Sequence, residues 1–139
     1  MKGDAQVIEA LNEVLTAELT AINQYYIHAK MAQNWGYARL YADKRKESID
    51  EMIDADKVIE RILYLDGIPN MQRLFPVAVG EDVQEMQELD LALEVAACER
   101  LNRAIALCRS SGDNGTRVML EEILQGEEEA VDHLEAQLD

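Results

Sequence analysis

The sequence predicts an all-α fold: a four-helix bundle with one long crossover between its second and third helices. Three observations lead there. Apolar residues recur at steps of three and four along separate stretches, the spacing of one helix face. Both prolines, Pro69 and Pro76, fall in a single segment. Runs of β-branched residues are few, so no stretch alternates as a strand would.

The first helix is expected to start after Gly3, with Asp4 as its N-cap, and to reach about Gln33. Its inward stripe is Ile8, Leu11, Leu15, Glu18, Ile22, Tyr25 and Ala29. Asn34-Trp35-Gly36 reads as a tight turn. The second helix, from about Tyr37 to Leu65, carries Glu51, Asp54, Val58, Ile62 and Leu65 on one face. Before Glu51 that face is polar, so its inward assignment rests on the second half. Gly67 is expected to stop this helix. The segment from Asp66 to Glu81 holds Gly67, Pro69, Pro76 and Gly80 and is too long for a tight turn. A connection of that length crosses the bundle and makes the second and third helices parallel. Asp82 is expected to cap the third helix, which carries Leu91, Glu94, Cys98, Leu101 and Ile105 and reaches about Arg109. Ser110 to Asp113 forms a short turn, and Asp113 caps the fourth helix. That helix carries Leu120, Ile123, Leu124, Glu127, Val131, Leu134 and Leu138. Four helices of about 27 residues, each roughly 40 Å long, joined by one long crossover describe the ferritin-like topology. By length, residues 1–139 form one domain.

Four glutamates stand at matched spacing along these stripes. Glu18 and Glu51 are 33 positions apart (51 minus 18), and so are Glu94 and Glu127 (127 minus 94). Carboxylates inside a bundle are costly unless a positive charge neutralises them, so four that face one another point to a cation site. Di-iron carboxylate bundles take one Glu from each of two helices and a Glu-x-x-His pair from each of the other two. Glu18 and Glu94 meet the first requirement, and Glu51 and Glu127 supply the glutamates of the second. The histidines belong at positions 54 and 130, which hold Asp54 and Ala130. Asp54 offers a hard oxygen ligand and Ala130 offers none. The expected site is therefore lopsided, richer around Glu18, Glu51 and Asp54. No buried Lys or Arg is evident on the stripes to neutralise it. Tyr25, on the Glu18 face, reads equally as a core aromatic or as a hydrogen-bonding and redox neighbour of the metals.

The formal charge of −15 argues against a nucleic-acid partner and favours attraction of cations. No run of 18 apolar residues predicts a membrane span, and the amphipathic, acidic N-terminus does not read as a signal peptide. Cys98 and Cys108 lie ten positions apart on one helix (108 minus 98), roughly 15 Å, too far to pair. They read as buried core thiols of a reducing cytoplasm. His28 and His133 are the two histidines, both expected at a surface or interface; His133, six positions past Glu127, is on a different face.

With these residues in view, the chain resembles the bacterioferritins, the haem-containing ferritins. The opening MKGDAQVIEALNEVLTAELTAINQYYIHAKMAQNWG, then ESIDEM, RILYLDGIPN, GEDVQEM and HLEAQLD carry the likeness across nearly the whole chain. The resemblance implies a 24-subunit hollow shell that oxidises Fe(II) and stores a ferric mineral. It implies a ferroxidase centre at Glu18, Glu51, Glu94 and Glu127, with Tyr25 beside it, whose two His ligands fall on Asp54 and Ala130. A further inner-surface iron position falls on Lys46 and Asp50, of which only Asp50 can bind a cation. The resemblance also implies haem b shared across a twofold dimer, with Met52 as axial ligand and Ile22, Asn23, Tyr26, Trp35 and Ile49 around it. Met52 follows Glu51 by one position and so points about 100° away from the bundle interior. Tyr26 and Trp35 read equally as dimer-interface anchors. A small iron-sulfur ferredoxin is the implied redox partner. The family's short fifth helix, which lines its fourfold channels, is expected to be missing here.

Three functions compete on this reading. The first is a haem-supplying subunit of a homo- or hetero-oligomeric iron-storage shell, its ferroxidase centre impaired by the two lost histidines. The second is an active ferroxidase working with carboxylates alone: Glu18, Glu51, Asp54, Glu94 and Glu127. The third is a helical shell or scaffold protein without metal.

Overall fold

The computed structural model describes all 139 residues. Its elements are α1 (Ala5–Asn34), α2 (Ala38–Tyr64), α3 (Val83–Ser111) and α4 (Asn114–Leu138), with no strand. The three predicted aspartate caps are all made. Asp4 accepts from the N–H groups of Gln6 and Val7, Asp82 from Glu85, and Asp113 from Thr116. Each satisfies N–H groups that the first helical turn leaves unpaired. Gly112 stops α3 in the left-handed conformation (φ 78°), and the helix runs to Ser111, two residues beyond the expected end at Arg109.

The stop after α2 differs from expectation. Asp66, not Gly67, takes the left-handed backbone there (φ 61°). Gly67 serves close packing instead, because a Cβ at that position would stand 2.7 Å from Cγ2 of Ile8.

Residues 65–82 form the crossover, and α1 holds it at rising positions. Asn12 Nδ2 donates to the Ile68 carbonyl and Asn12 Oδ1 accepts from Asn70 N–H. Thr20 Oγ1 accepts from Phe75 N–H, Gln24 Oε1 from Ala78 N–H, and His28 Nε2 from Gly80 N–H. The crossover therefore climbs alongside α1 back to the end where α2 began, and α3 starts from there parallel to α2. Three of these clips come from polar side chains of α1 that are themselves buried, Thr20, Gln24 and His28. They satisfy an irregular backbone that would otherwise lose its hydrogen bonds on burial.

The bundle has two unlike halves. One end is apolar, built by Val7, Leu11, Val14 and Leu15 of α1, Val58 and Ile62 of α2, Leu101, Ile105 and Cys108 of α3, and Leu120 and Ile123 of α4. Each fully buried side chain of this kind contributes about 1.5–3 kcal/mol. Several stripe residues, Ile8, Ile22, Leu91, Cys98, Leu124, Val131 and Leu138, are only half-buried. Cys98 and Cys108 are both free thiols.

The other end buries polar groups, and two expectations fail there. His28 is not at a surface but fully buried. It accepts Gly80 N–H at Nε2, which leaves its ring proton on Nδ1 to donate to Asp90 Oδ1 at 2.9 Å. A buried lysine also exists. Lys44 is 2% exposed, its Nζ 2.7 Å from Asp90 Oδ2, bonded to Gln87 and 5.5 Å above the Tyr25 ring. Gln24 Nε2 adds a third donor to Asp90 at 2.9 Å. Both residues are invisible to an apolar stripe, because their burial is made tolerable only by Asp90 on another helix.

A buried ion pair adds little net stability, but removing one partner strands the other. Lys44→Met is therefore expected to cost about 3 kcal/mol in urea unfolding, with Asp90 left short of its cation. A loss below about 1 kcal/mol, the scale of a surface pair, would mean that Asp90 does not depend on Lys44.

Candidate metal centre

Where the apolar and polar halves meet, each helix contributes one glutamate. Glu18, Glu51 and Glu127 are each 3% exposed and Glu94 is fully buried. Ligand oxygens of Glu18, Glu51, Asp54 and Glu127 all lie within 4.8 Å of one another. Three of the four predicted glutamates are therefore together, with Asp54 beside them. Glu94 joins from the other side: one of its oxygens lies within 4.8 Å of oxygens of Glu51 and Glu47. Tyr25 donates its hydroxyl to Glu94 Oε1 at 2.7 Å. Tyr25 is thus fully buried, as a core aromatic is, and also hydrogen-bonded to a glutamate of the cluster.

Two carboxylate oxygens of the centre have no hydrogen-bond partner, Glu18 Oε2 and Glu94 Oε2. Buried acceptors are nearly always satisfied, so each orphan marks a place for a proton or a cation. Burial pushes the carboxyl groups of Glu18, Glu51 and Glu127 well above their ordinary range, and their mutual repulsion adds to it. In Glu127 a hydrogen bond donated to Glu94, which favours the protonated form of Glu127, adds to the rise. Half-burial lifts Asp54 to about 6, against the pull of Lys57. The Tyr25 phenol is also raised, first by burial and then by the Glu94 charge.

The centre lies between two cavities. One, of about 180 Å³, is lined by Ala17, Thr20 and Ala21 of α1, Phe75 and Pro76 of the crossover, and Leu93, Ala97 and Arg100 of α3. It reaches Glu18, Glu51, Glu94 and Glu127. The other, of about 300 Å³, opens between α2 and α4 and is lined by Glu47, Asp50, Glu51, Asp54, Glu127 and Ala130 among others. His133 also lines it, but its Nε2 is held by Asp43 at 2.8 Å. It shares a cavity with Ala130 without filling the missing ligand position. Asp50 reaches the same cavity and is ion-paired to Lys46 at 2.8 Å.

The haem candidates are not part of this cluster. Met52 is 54% exposed, on the outer side of α2, with Ile49 and Tyr26 exposed near it in sequence and on α1. Asn23 is exposed, and Ile22 and Trp35 are half-buried. Sequence reasoning missed Glu47, half-buried one turn before Glu51, although the four-residue spacing to Glu51 puts both on one helix face.

The raised carboxyls fix a pH dependence. Their folded pKa values exceed the unfolded ones near 4, so the folded state binds more protons and stability is lost as pH rises. The metal-free protein is expected to show a falling Tm from about pH 5 to about pH 8, through the range in which Asp54 titrates. Saturating Mn(II) at the upper pH should restore it, and Glu18→Gln with Glu127→Gln should flatten the slope. A slope unchanged in that double variant would assign the effect to the general negative charge instead.

Comparison with known proteins agrees with this geometry. The ferritin-like domain family matches residues 8–139. The chain is 49% identical to the bacterioferritin of Mycolicibacterium paratuberculosis over 139 residues, all of this chain and 87% of that protein. It is 50% identical to the bacterioferritin of Streptomyces coelicolor, covering 83% of it, and 42% identical to that of Brucella melitensis, covering 86%. Identity of this order runs through all four helices and the crossover that orders them, and the chain belongs to the bacterioferritin family.

Proposed function

We propose that this chain is an iron-storage subunit whose buried carboxylate centre takes up Fe(II) as substrate and whose outer α2 face binds haem b. The observation that carries the first part is the pair of orphaned, buried oxygens on Glu18 and Glu94 in a cluster of one charge sign. Divalent iron supplies the positive charge that the interior lacks. Glu18, Glu51, Asp54, Glu94 and Glu127 would hold it, with Glu51 common to both carboxylate groups. The cavity between α1 and α3 and the one between α2 and α4 give the substrate a way in and a way out.

Oxidation at this centre is proposed to be slow. Ala130 contributes no donor, and both imidazole positions are lost. An active carboxylate-only ferroxidase is the second reading, favoured by Asp54 standing within the cluster. In that case two Fe(II) each give one electron to dioxygen, which takes two protons and leaves as hydrogen peroxide, with two Fe(III) formed. Tyr25, bonded to Glu94, stands where a proton or electron could pass to the site.

The haem part rests on Met52, half-exposed beside an apolar surface. A thioether is a neutral, soft ligand suited to haem iron, and the group would supply one-electron transfer. Ile49 and Tyr26 would cover it, with Ile22, Asn23 and Trp35 at its margin. A second copy related by a twofold axis would supply the opposite Met52, within an oligomer of the family's own subunits proposed to close as a 24-mer. A small iron-sulfur ferredoxin is the proposed electron donor for iron release. The free cysteines suit a reducing cytoplasm.

Adding Fe(II) to the metal-free protein in air, against a Glu18→Ala control, tests the centre. Slow parent oxidation is expected, rising at least about tenfold when Asp54→His and Ala130→His are combined. A parent already as fast as that double variant would favour the ferroxidase reading. For the haem, Met52→Leu should abolish haem content with helicity and oligomer size unchanged; retained haem would remove Met52 from the role.

A further inference from the structure

The family arrangement leaves the ion on the α3–α4 side of the centre short of a ligand, because Ala130 stands where a histidine would be. The structure holds a different side chain at that vacancy. Glu47 lies one helical turn before Glu51 on α2. An oxygen of Glu47 comes within 4.8 Å of oxygens of both Glu51 and Glu94. Glu47 and Ala130 also line the same cavity between α2 and α4.

We propose that Glu47 is a metal ligand in this chain, replacing the missing residue-130 histidine, so that the centre holds two ions in two carboxylate sets that share Glu51. One set is Glu18, Glu51, Asp54 and Glu127, and the other is Glu47, Glu51 and Glu94. This inference rests on the metal-centre reading above and adds to it a ligand and a class of ion.

The second set is more than a group of nearby acids. Glu94 is completely buried, and its Oε2 has no hydrogen-bond partner while its Oε1 is occupied by Tyr25. The free oxygen is the one available to an ion. Glu47 has no hydrogen-bonding or ion-pair partner among the side chains around it, although Lys46 is adjacent in sequence; Lys46 is engaged by Asp50. Lys44, the nearest buried ammonium, is engaged by Asp90 and Gln87. Half-burial and the Glu94 charge lift the Glu47 carboxyl to about 7. A half-buried carboxylate facing another carboxylate, with both neighbouring lysines occupied elsewhere, gains from a cation between them.

Two consequences follow from charge and ligand type. With Glu47 counted, six carboxylates surround the two ions: Glu18, Glu47, Glu51, Asp54, Glu94 and Glu127. Six negative charges balance two trivalent ions and exceed two divalent ones by two. The donor set is also all oxygen, which selects hard cations. The centre is thus built to fill and to retain ferric iron, which is consistent with slow turnover and not with an empty site.

Mn(II) alone, a hard divalent ion that does not require oxidation to be detected, serves as the probe. Titration of the metal-free, full-length protein by calorimetry, followed by electron paramagnetic resonance, counts the ions and reports whether they are spin-coupled. The parent is expected to bind two Mn(II) per subunit with a coupled signal, both lost in Glu51→Gln. In Glu47→Gln one ion should remain, the second weakening at least about tenfold, and the coupled signal should disappear. Adding Ala130→His to Glu47→Gln should bring the second ion back, a rescue that a merely structural role for Glu47 would not give. Two coupled ions of unchanged affinity in Glu47→Gln would overturn the Glu47 assignment and leave the centre standing. A parent that binds no Mn(II) dependent on Glu51 would overturn the metal-centre reading itself, and the Glu47 assignment with it.

Discussion

Negative charge buried at one level of the bundle is the constraint around which the rest is arranged. Two like charges 4 Å apart repel by about 4 kcal/mol at the effective dielectric constant of a protein's outer layers. A few such pairs equal the whole stability of a domain, about 5–15 kcal/mol. The carboxylates of Glu18, Glu51 and Glu127 therefore exist either protonated, as their raised pKa values express, or bound to cations. The apolar half must supply enough stability to hold them together meanwhile. Its side chains from Val7 to Leu15 and from Leu101 to Cys108 do so one end away from the site.

The polar half sets geometry rather than stability. Gln24 and His28 use one face of their groups to hold the crossover and the other to hold Asp90. Asp90 stands one turn before Glu94 on α3, and Tyr25, next to Gln24, holds Glu94. The clips that guide the chain from α2 to α3 thus also fix the register of α3 against α1. That register decides which α3 side chain enters the centre. Lys44 completes the arrangement by tying α2 to the same aspartate, four residues before Ser48, whose hydroxyl donates to the Ile22 carbonyl of α1.

Much of this was legible in the sequence, because it is written in local rules. A cap needs only an aspartate and the N–H groups two or three residues on, so Asp4, Asp82 and Asp113 could be read directly. The four glutamates could be read because they break stripes that are otherwise apolar. What escaped was burial conferred by a partner on another element. His28 and Lys44 look like surface residues on their own helices, and only Asp90 makes their burial tolerable. Glu47 sits in a run of charged residues, and its meaning depends on Glu94, 47 positions away (94 minus 47). Gly67 was expected at the helix stop for its backbone freedom, whereas contact with Ile8 is what excludes a side chain there.

Exchanging imidazole for carboxylate alters more than the donor atom. Imidazole is neutral when it binds a metal, so an aspartate at position 54 adds a full negative charge where a histidine would add none. Asp54 is also shorter than histidine and reaches the cluster from the α2 side, where burial disfavours its charge and Lys57 favours it. Anionic oxygen donors stabilise the higher oxidation state of a hard ion, whereas nitrogen donors moderate that preference. A site so changed gives up electrons readily and regains them with difficulty. One residue away from Glu51, Met52 points out of the bundle, where its soft neutral sulfur would favour the reduced state of the proposed haem iron. On the proposed reading, adjacent positions of one helix would thus favour opposite oxidation states on opposite faces: oxidised iron among hard oxygens toward the bundle interior, reduced iron beside a soft sulfur on the outer face.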